Sequence, residues 1–294
     1  MGSEPTLNER LSRPADRRMV IVNCDDIGSS HAANLASLEA MERGIASSAT
    51  LMVPCPWALE AVELFRGKDV GVHLTLTAEY PAYRWRSLTG APSLHDQQGF
   101  LPRTAKEVWA RADLSDVRRE CRAQIEQALT WGVDVTHMDS HMGVLQIEPR
   151  YYEIYLELAE AFRLPLRMAG SGAERALGFP IRAPADAHGV LYPDEFFFDW
   201  GRSTAGLMRK KVPGLRPGVT EFIVHPVLDG PELRGYDRTE AQIRADDHAC
   251  AIDPAIADLL QDESIELISF RLLREAQRAG ALAGDARTPQ ASPV

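Results

Sequence analysis

Short apolar runs recur along this chain with helix-period segments between them, and that alternation leaves few folds open. The runs at 19–24, 49–53, 70–76, 133–138, 166–168, 220–224 and 265–270 read as strands, and helical patterns fall at about 32–43, 57–66, 116–131, 150–163 and 238–249. Leu35, Leu38, Ala40 and Met41 lie at helical spacing, with Gly44 placed to end that helix. Pro149, ahead of Tyr151, Ile154, Leu158 and Ala161, opens another in the way proline allows at a first helical position. Strands separated by helices run parallel, joined by helical crossovers. The 294 residues allow two domains, but a single α/β barrel of roughly 250 residues fits equally well.

Parallel sheets of this kind present their functional groups at the carboxyl ends of the strands. Asp25, Asp26, His73, His137, His141 and His225 all fall at or just after such an end. The run 19–22 delivers Asp25 and Asp26 to a turn containing Gly28. Because side chains alternate in a strand, the two carboxylates are free to do different jobs, one with a cation and one with a proton. Asp-Asp before glycine also serves ordinary turn and cap chemistry. His73 lies in an apolar strand, where a lone histidine is more commonly a hydrogen-bonded structural residue. His137 and His141 are four apart, which would share a face on a helix, but Val133-Asp134-Val135 favours a strand running out into a loop. A carboxylate with two neutral imidazoles is a normal ligand set for a catalytic Zn²⁺-like ion with open positions. A second carboxylate beside it can take a water proton, and a distant histidine can protonate a leaving amine.

Two stretches break the alternation. Residues 78–103 are rich in Pro, Trp, Tyr and Gly and follow His73, and 170–199 ends in Phe196-Phe197-Phe198-Asp199-Trp200. Both are too long for ordinary connections and read as lids or substrate walls, or as excursions on the barrel exterior. A net charge of -10 argues against nucleic acid as a partner. No apolar stretch approaches the ~20 residues of a membrane span, and the polar residues 1–18 lack the apolar core of a signal peptide. Cys24, Cys55, Cys121 and Cys250 are scattered, as reduced thiols are, so a cytoplasmic location is expected.

The segments Asn23-Cys24-Asp25-Asp26-Ile27-Gly28, Gly71-Val72-His73-Leu74-Thr75, Thr136-His137-Met138-Asp139-Ser140-His141 and Glu221-Phe222-Ile223-Val224-His225-Pro226 resemble, in order and spacing, the YdjC-like carbohydrate deacetylases, distant relatives of the NodB-type polysaccharide deacetylases. The resemblance runs from about Met19 to Arg274. It implies a single-domain, distorted (β/α) TIM-like barrel over 18–279, and the stretches 1–17 and 280–294 outside it read from their own sequence as disordered tails. It further implies a metal-dependent hydrolase that removes N-acetyl groups from small amino sugars. Asp26, His73 and His141 become ligands to one divalent metal ion, Asp25 the general base and His225 the general acid. His137 and Asp139 become residues that orient ligands or acid. Zn²⁺ suits the donor types best, with Mg²⁺, Mn²⁺ and Co²⁺ as alternatives. The expected partner is a small N-acetylated carbohydrate, with neither nucleic acid nor membrane and with room for a homo-oligomer. Met142, Gly143 and Leu145 stand where family members commonly carry further histidines, and Cys24 and Ile27 replace the usual Ala and Phe. Two other classes compete: a barrel lyase or isomerase in which Asp25 moves a carbon-bound proton, and a non-catalytic, metal-dependent sugar-binding protein.

Overall fold

The strand centred on Val20 and Val22 is buried on both faces, as expected when helices cover one side of a parallel sheet and a barrel interior lies on the other. In the computed structural model, which describes residues 5–285, this strand is β1 (Arg18–Ile27). It is followed by β2 (Ser48–Leu51), β3 (Val70–Leu74), β4 (Val135–Ser140), β5 (Glu195–Phe197), β6 (Gly218–Val224) and β7 (Glu266–Leu267). All pairings are parallel, in the order β4-β3-β2-β1-β6-β5, with β7 beside the start of β1. The sheet curls towards closure through extended chain: Met138 of β4 bridges Leu166, whose N–H donates to Leu191 O at 3.0 Å. The result is an α/β fold of the distorted-barrel type.

Alternation along β1 and β6 layers the interior. Met19, Ile21 and Val219 join Leu11, Leu191, Phe270 and Leu273 in an apolar plug. Asn23, Asp25 and Glu221, on the same faces further along, carry polar groups towards the carboxyl ends. Polar side chains are thus concentrated at one mouth while the other end is sealed by hydrocarbon.

The expected helices appear at His31–Arg43, Ala58–Leu64, Leu114–Thr130, Pro149–Phe162 and Ala241–Ala251. The structure corrects other expectations. The run 166–168 makes a single bridge rather than a strand. The run 265–270 keeps a two-residue strand before helix Phe270–Asp285 takes over. The stretch 170–199 contains β5 and two short helices. The expected N-terminal tail is ordered from residue 5: helix Leu7–Arg10 carries a capping box from Thr6, Asn8 donates to the carbonyls of Pro14 and Arg17, and Leu11 fills the plug. Of the expected C-terminal tail, 280–285 lie in the last helix. The remainder of both tails, 1–4 and 286–294, lies outside the described residues. The long segment 78–103 is pinned rather than loose, with Trp85 Nε1 donating to Thr77 O at 2.8 Å and Glu120 accepting from the N–H groups of Leu88 and Thr89.

Candidate active site and metal centre

Asp25 and Asp26 lie inside β1, not after it. Cys24 pairs with Ala49 and Ile27 with Leu51, so three steps on β1 match two on β2 and the Asp pair forms a β-bulge. Asp26 takes a left-handed φ of 68°, strain on the order of 1 kcal/mol for a residue with a Cβ. Neighbours in a regular strand would point to opposite faces. The bulge instead brings both carboxylates to one cavity at the barrel mouth.

There, Asp26 Oδ1 lies 3.2 Å from His73 Nε2 and 3.2 Å from His141 Nδ1, and the two nitrogens are 3.2 Å apart. Donor atoms bound about 2.0–2.2 Å from one ion are spaced in this way. Each imidazole has its other nitrogen on a carboxylate: His73 Nδ1 is 2.5 Å from Asp139 Oδ1, and His141 Nε2 is 3.0 Å from Glu79 Oε2. Those contacts set the tautomers that aim lone pairs at the shared point. Asp26 Oδ2 accepts from Arg244 at 2.8 Å, while Oδ1 is buried with no hydrogen-bond partner. Burial alone would pull the imidazoles down. The surrounding carboxylates, led by Asp139 for His73 and Glu79 for His141, push them up to about 10 and about 9. The cluster is therefore built for added positive charge, and these residues fit a divalent ion. A second grouping, Asp25, His73 and Asp139, already has its cation: Arg167 Nη1 lies 2.6 Å from Asp25 Oδ2 and 2.7 Å from Asp139 Oδ2.

Arg167 holds Asp25 through both carboxylate oxygens and also donates from Nε to Glu221 Oε1 at 2.8 Å. Burial opposes ionisation of Asp25, but Arg167 and His73 outweigh it and bring the carboxyl down to about 2. One guanidinium cannot neutralise three buried carboxylates, and Glu221 is the one left short. Its burial, only partly offset by Arg167, raises it from 4.5 to about 7. The folded protein thus retains a proton that the unfolded chain releases near 4.5, so this contribution to stability is full below that pH and is lost as pH rises through about 7. Glu221→Gln is expected to remove that decline. Denaturant midpoints of variant and wild type should diverge in the variant's favour from about pH 5 to pH 8, by on the order of 1–3 kcal/mol. A pH-independent difference would place the proton elsewhere.

His225 follows β6 and reaches the same cavity, its Nε2 3.7 Å from Asp25 Oδ2. Asp247 Oδ2 accepts the His225 backbone N–H at 2.8 Å, and the imidazole meets the Trp200 ring edge-on at 4.9 Å. Asp139, through its contact with His73 Nδ1, fixes the orientation of that ring. His137 is a correction. Its ring stacks on Phe270 at 3.8 Å, takes Thr136 as its hydrogen-bond partner and passes over Gly71, where a Cβ would lie 2.6 Å from the ring. It belongs to the interior near the plug and contacts none of the ligands. Burial holds it neutral. Sequence reasoning missed Glu79, Arg167, Glu221, Arg244 and Asp247. Glu221 lies within a segment singled out for its chemistry and Glu79 in the long stretch after His73, whereas Arg167, Arg244 and Asp247 fall in runs legible only as strand or helix.

The cavity has a volume of about 470 Å³. Its floor is the polar cluster, and its walls include Met142, Ile147, Met168, Ile181, Phe198 and Trp200.

The sequence profile of the family described as YdjC-like protein matches residues 19–262. The carbohydrate deacetylase of Thermus thermophilus is 33% identical over 288 residues, 92% of this chain and 98% of that protein. The carbohydrate deacetylase of Geobacillus stearothermophilus is 32% identical over 86% of this chain and 97% of its own length. A crystal structure from Enterococcus faecalis V583, of a protein provisionally assigned to cellobiose-phosphate cleavage, superposes with a TM-score of 0.75. It is 26% identical and covers 87% of this chain and 99% of that one.

Proposed function

The chain belongs to the YdjC-like protein family, and from that premise we propose that it is a metal-dependent carbohydrate N-deacetylase, splitting the amide of a small N-acetylated amino sugar. One observation carries the reading: Asp26 Oδ1, His73 Nε2 and His141 Nδ1 converge at 3.2 Å in a cavity that also holds Asp25 and His225. The names of the Thermus and Geobacillus relatives support the substrate class. A divalent ion held by Asp26, His73 and His141 would polarise the amide carbonyl and acidify water. That help matters because an Asp25 carboxyl held at about 2 is a weak base. Asp25 takes the proton of the attacking water, with Arg167 keeping the carboxylate ionised and fixed. His225 returns a proton to the departing amine, its imidazole steadied by the edge of Trp200. Zn²⁺ suits one carboxylate and two imidazoles best, and Mg²⁺, Mn²⁺ and Co²⁺ are the alternatives. Four buried, unpaired thiols among the described residues favour a reducing, cytoplasmic setting. No helix among those residues is long and apolar enough to cross a membrane.

The test is acetate release from a panel of N-acetylated sugars, before and after chelation and metal return. Metal-restored acetate release is the expected result, and its absence across the panel would overturn the reading. His225→Ala separates the acid role. Amide turnover should fall about 10²–10⁴-fold, while an aryl acetate, whose leaving group needs no proton, should be largely spared. Equal losses on both substrates would leave His225 an orienting residue.

A further inference from the structure

The fold gives the two carboxylate oxygens of Asp26 different surroundings. Oδ1 is buried without a hydrogen-bond partner and lies 3.2 Å from both His73 Nε2 and His141 Nδ1. Oδ2 accepts from Arg244 Nη1 at 2.8 Å. A free carboxylate can give a cation one oxygen or both. Here the second oxygen is engaged by a charge-assisted hydrogen bond, the stronger kind.

The guanidinium that engages it is held on several sides. Arg244 comes from helix Ala241–Ala251 and is 5% exposed. Its Cζ lies 5.9 Å from the ring centre of Tyr80 and 5.3 Å from that of Trp200, so an aromatic ring from each of two long connections packs on it. Asp237 Oδ2 stands 3.5 Å from its Nε. Stacked contacts of this sort suit the delocalised plane of arginine, and a side chain so restrained is not free to swing towards a substrate anion. Asp26 is equally fixed, by the bulge and its left-handed φ of 68°.

We propose that Arg244 is a positioning residue that reserves Asp26 Oδ2. The carboxylate then offers a divalent ion Oδ1 alone, and the place a second oxygen would fill stays open to water and substrate. Only the effect on turnover rests on the deacetylase reading of the site; the reserved oxygen does not.

Arg244→Met keeps the bulk and removes the charge and the donors. The freed Oδ2 should join the ion, and loss of a positive charge beside Asp26 should strengthen the attraction. Zn²⁺ affinity, read by chelator competition, is expected to rise at least about tenfold, while acetate release falls about 10–100-fold, as when a ligand-orienting partner is lost. A merely structural role predicts the opposite sign for the metal, because a loosened Asp26 would hold it less well. In Co²⁺-loaded protein the visible absorption band, which weakens as coordination number rises, should be weaker in Arg244→Met than in wild type. Arg244→Lys, which returns a cation to that place, should recover it. If Arg244→Met fails to fold by circular dichroism, a crystal structure of the Zn²⁺-loaded wild type decides: Asp26 bound through Oδ1 alone, with the Arg244 contact kept, upholds the proposal. Asp26 bound through both oxygens in wild type, weaker metal binding by a folded Arg244→Met variant, an unchanged Co²⁺ band, or a wild type that takes up neither ion would each overturn it. Tighter metal binding and a weaker band in the variant, with no acetate released by wild type from any sugar, would uphold the role of Arg244 and leave the deacetylase reading alone to fall.

Discussion

Replacing His73 or His141 with alanine is expected to strip bound metal from the purified protein and abolish measurable deacetylation while leaving the fold in place. Each substitution removes one of the three donor atoms that meet at 3.2 Å. The loss should exceed the 10–100-fold that typically follows removal of a ligand-orienting partner. The fold should survive because the apolar plug of Met19, Ile21, Val219 and Phe270 lies at the other end of the barrel. Elemental analysis beside circular dichroism checks both halves of the expectation, and a full equivalent of metal in both variants would show the ligand assignment to be wrong. The wild type offers a companion measurement. Carboxylates push the two imidazoles up to about 10 and about 9, so a metal ion must expel protons to bind, and its apparent affinity should climb as pH rises towards 9.

Asp25→Asn and Asp26→Asn should fail in different ways. In the first variant the new side-chain amide would still offer an oxygen to Arg167, so metal content should hold while turnover drops by about 10²–10⁴-fold, the usual cost of losing a general base. Asp26→Asn replaces the anionic donor itself and removes the buried charge that faces Arg244, leaving Asp237 as the carboxylate beside that guanidinium. Metal should then be lost first and activity with it, and excess metal should restore part of the activity. Similar metal loss in both variants would merge the two roles and remove the distinction between base and ligand.

Strand–helix alternation, the parallel direction it forces and the clustering of polar residues at strand ends were all legible in the sequence. Each depends on local periodicity and on the reach of a crossover, both of which are written in contiguous residues. Asp25, Asp26, His73, His141 and His225 could be picked out on that basis, and all five line one cavity; Asp139, which only the family resemblance suggested, hydrogen-bonds His73. His137 shared the same motif and strand end yet turned inward to stack on Phe270, because no local pattern tells which way a ring faces across a bulged strand pair. Strict alternation also argued that Asp25 and Asp26 point apart. The bulge against β2 and the left-handed backbone at Asp26 reverse that, and both arise from pairing with another strand. The ion pairs that tune the site join residues 142 and 218 positions apart, Arg167 with Asp25 and Arg244 with Asp26. Arg167 comes from a stretch that reads as one more apolar strand, and Arg244 from an ordinary helix. Periodicity along the chain determined which groups reach the mouth of the barrel. Only closure of the sheet decided which charges face one another there, because those contacts follow from its curvature and register.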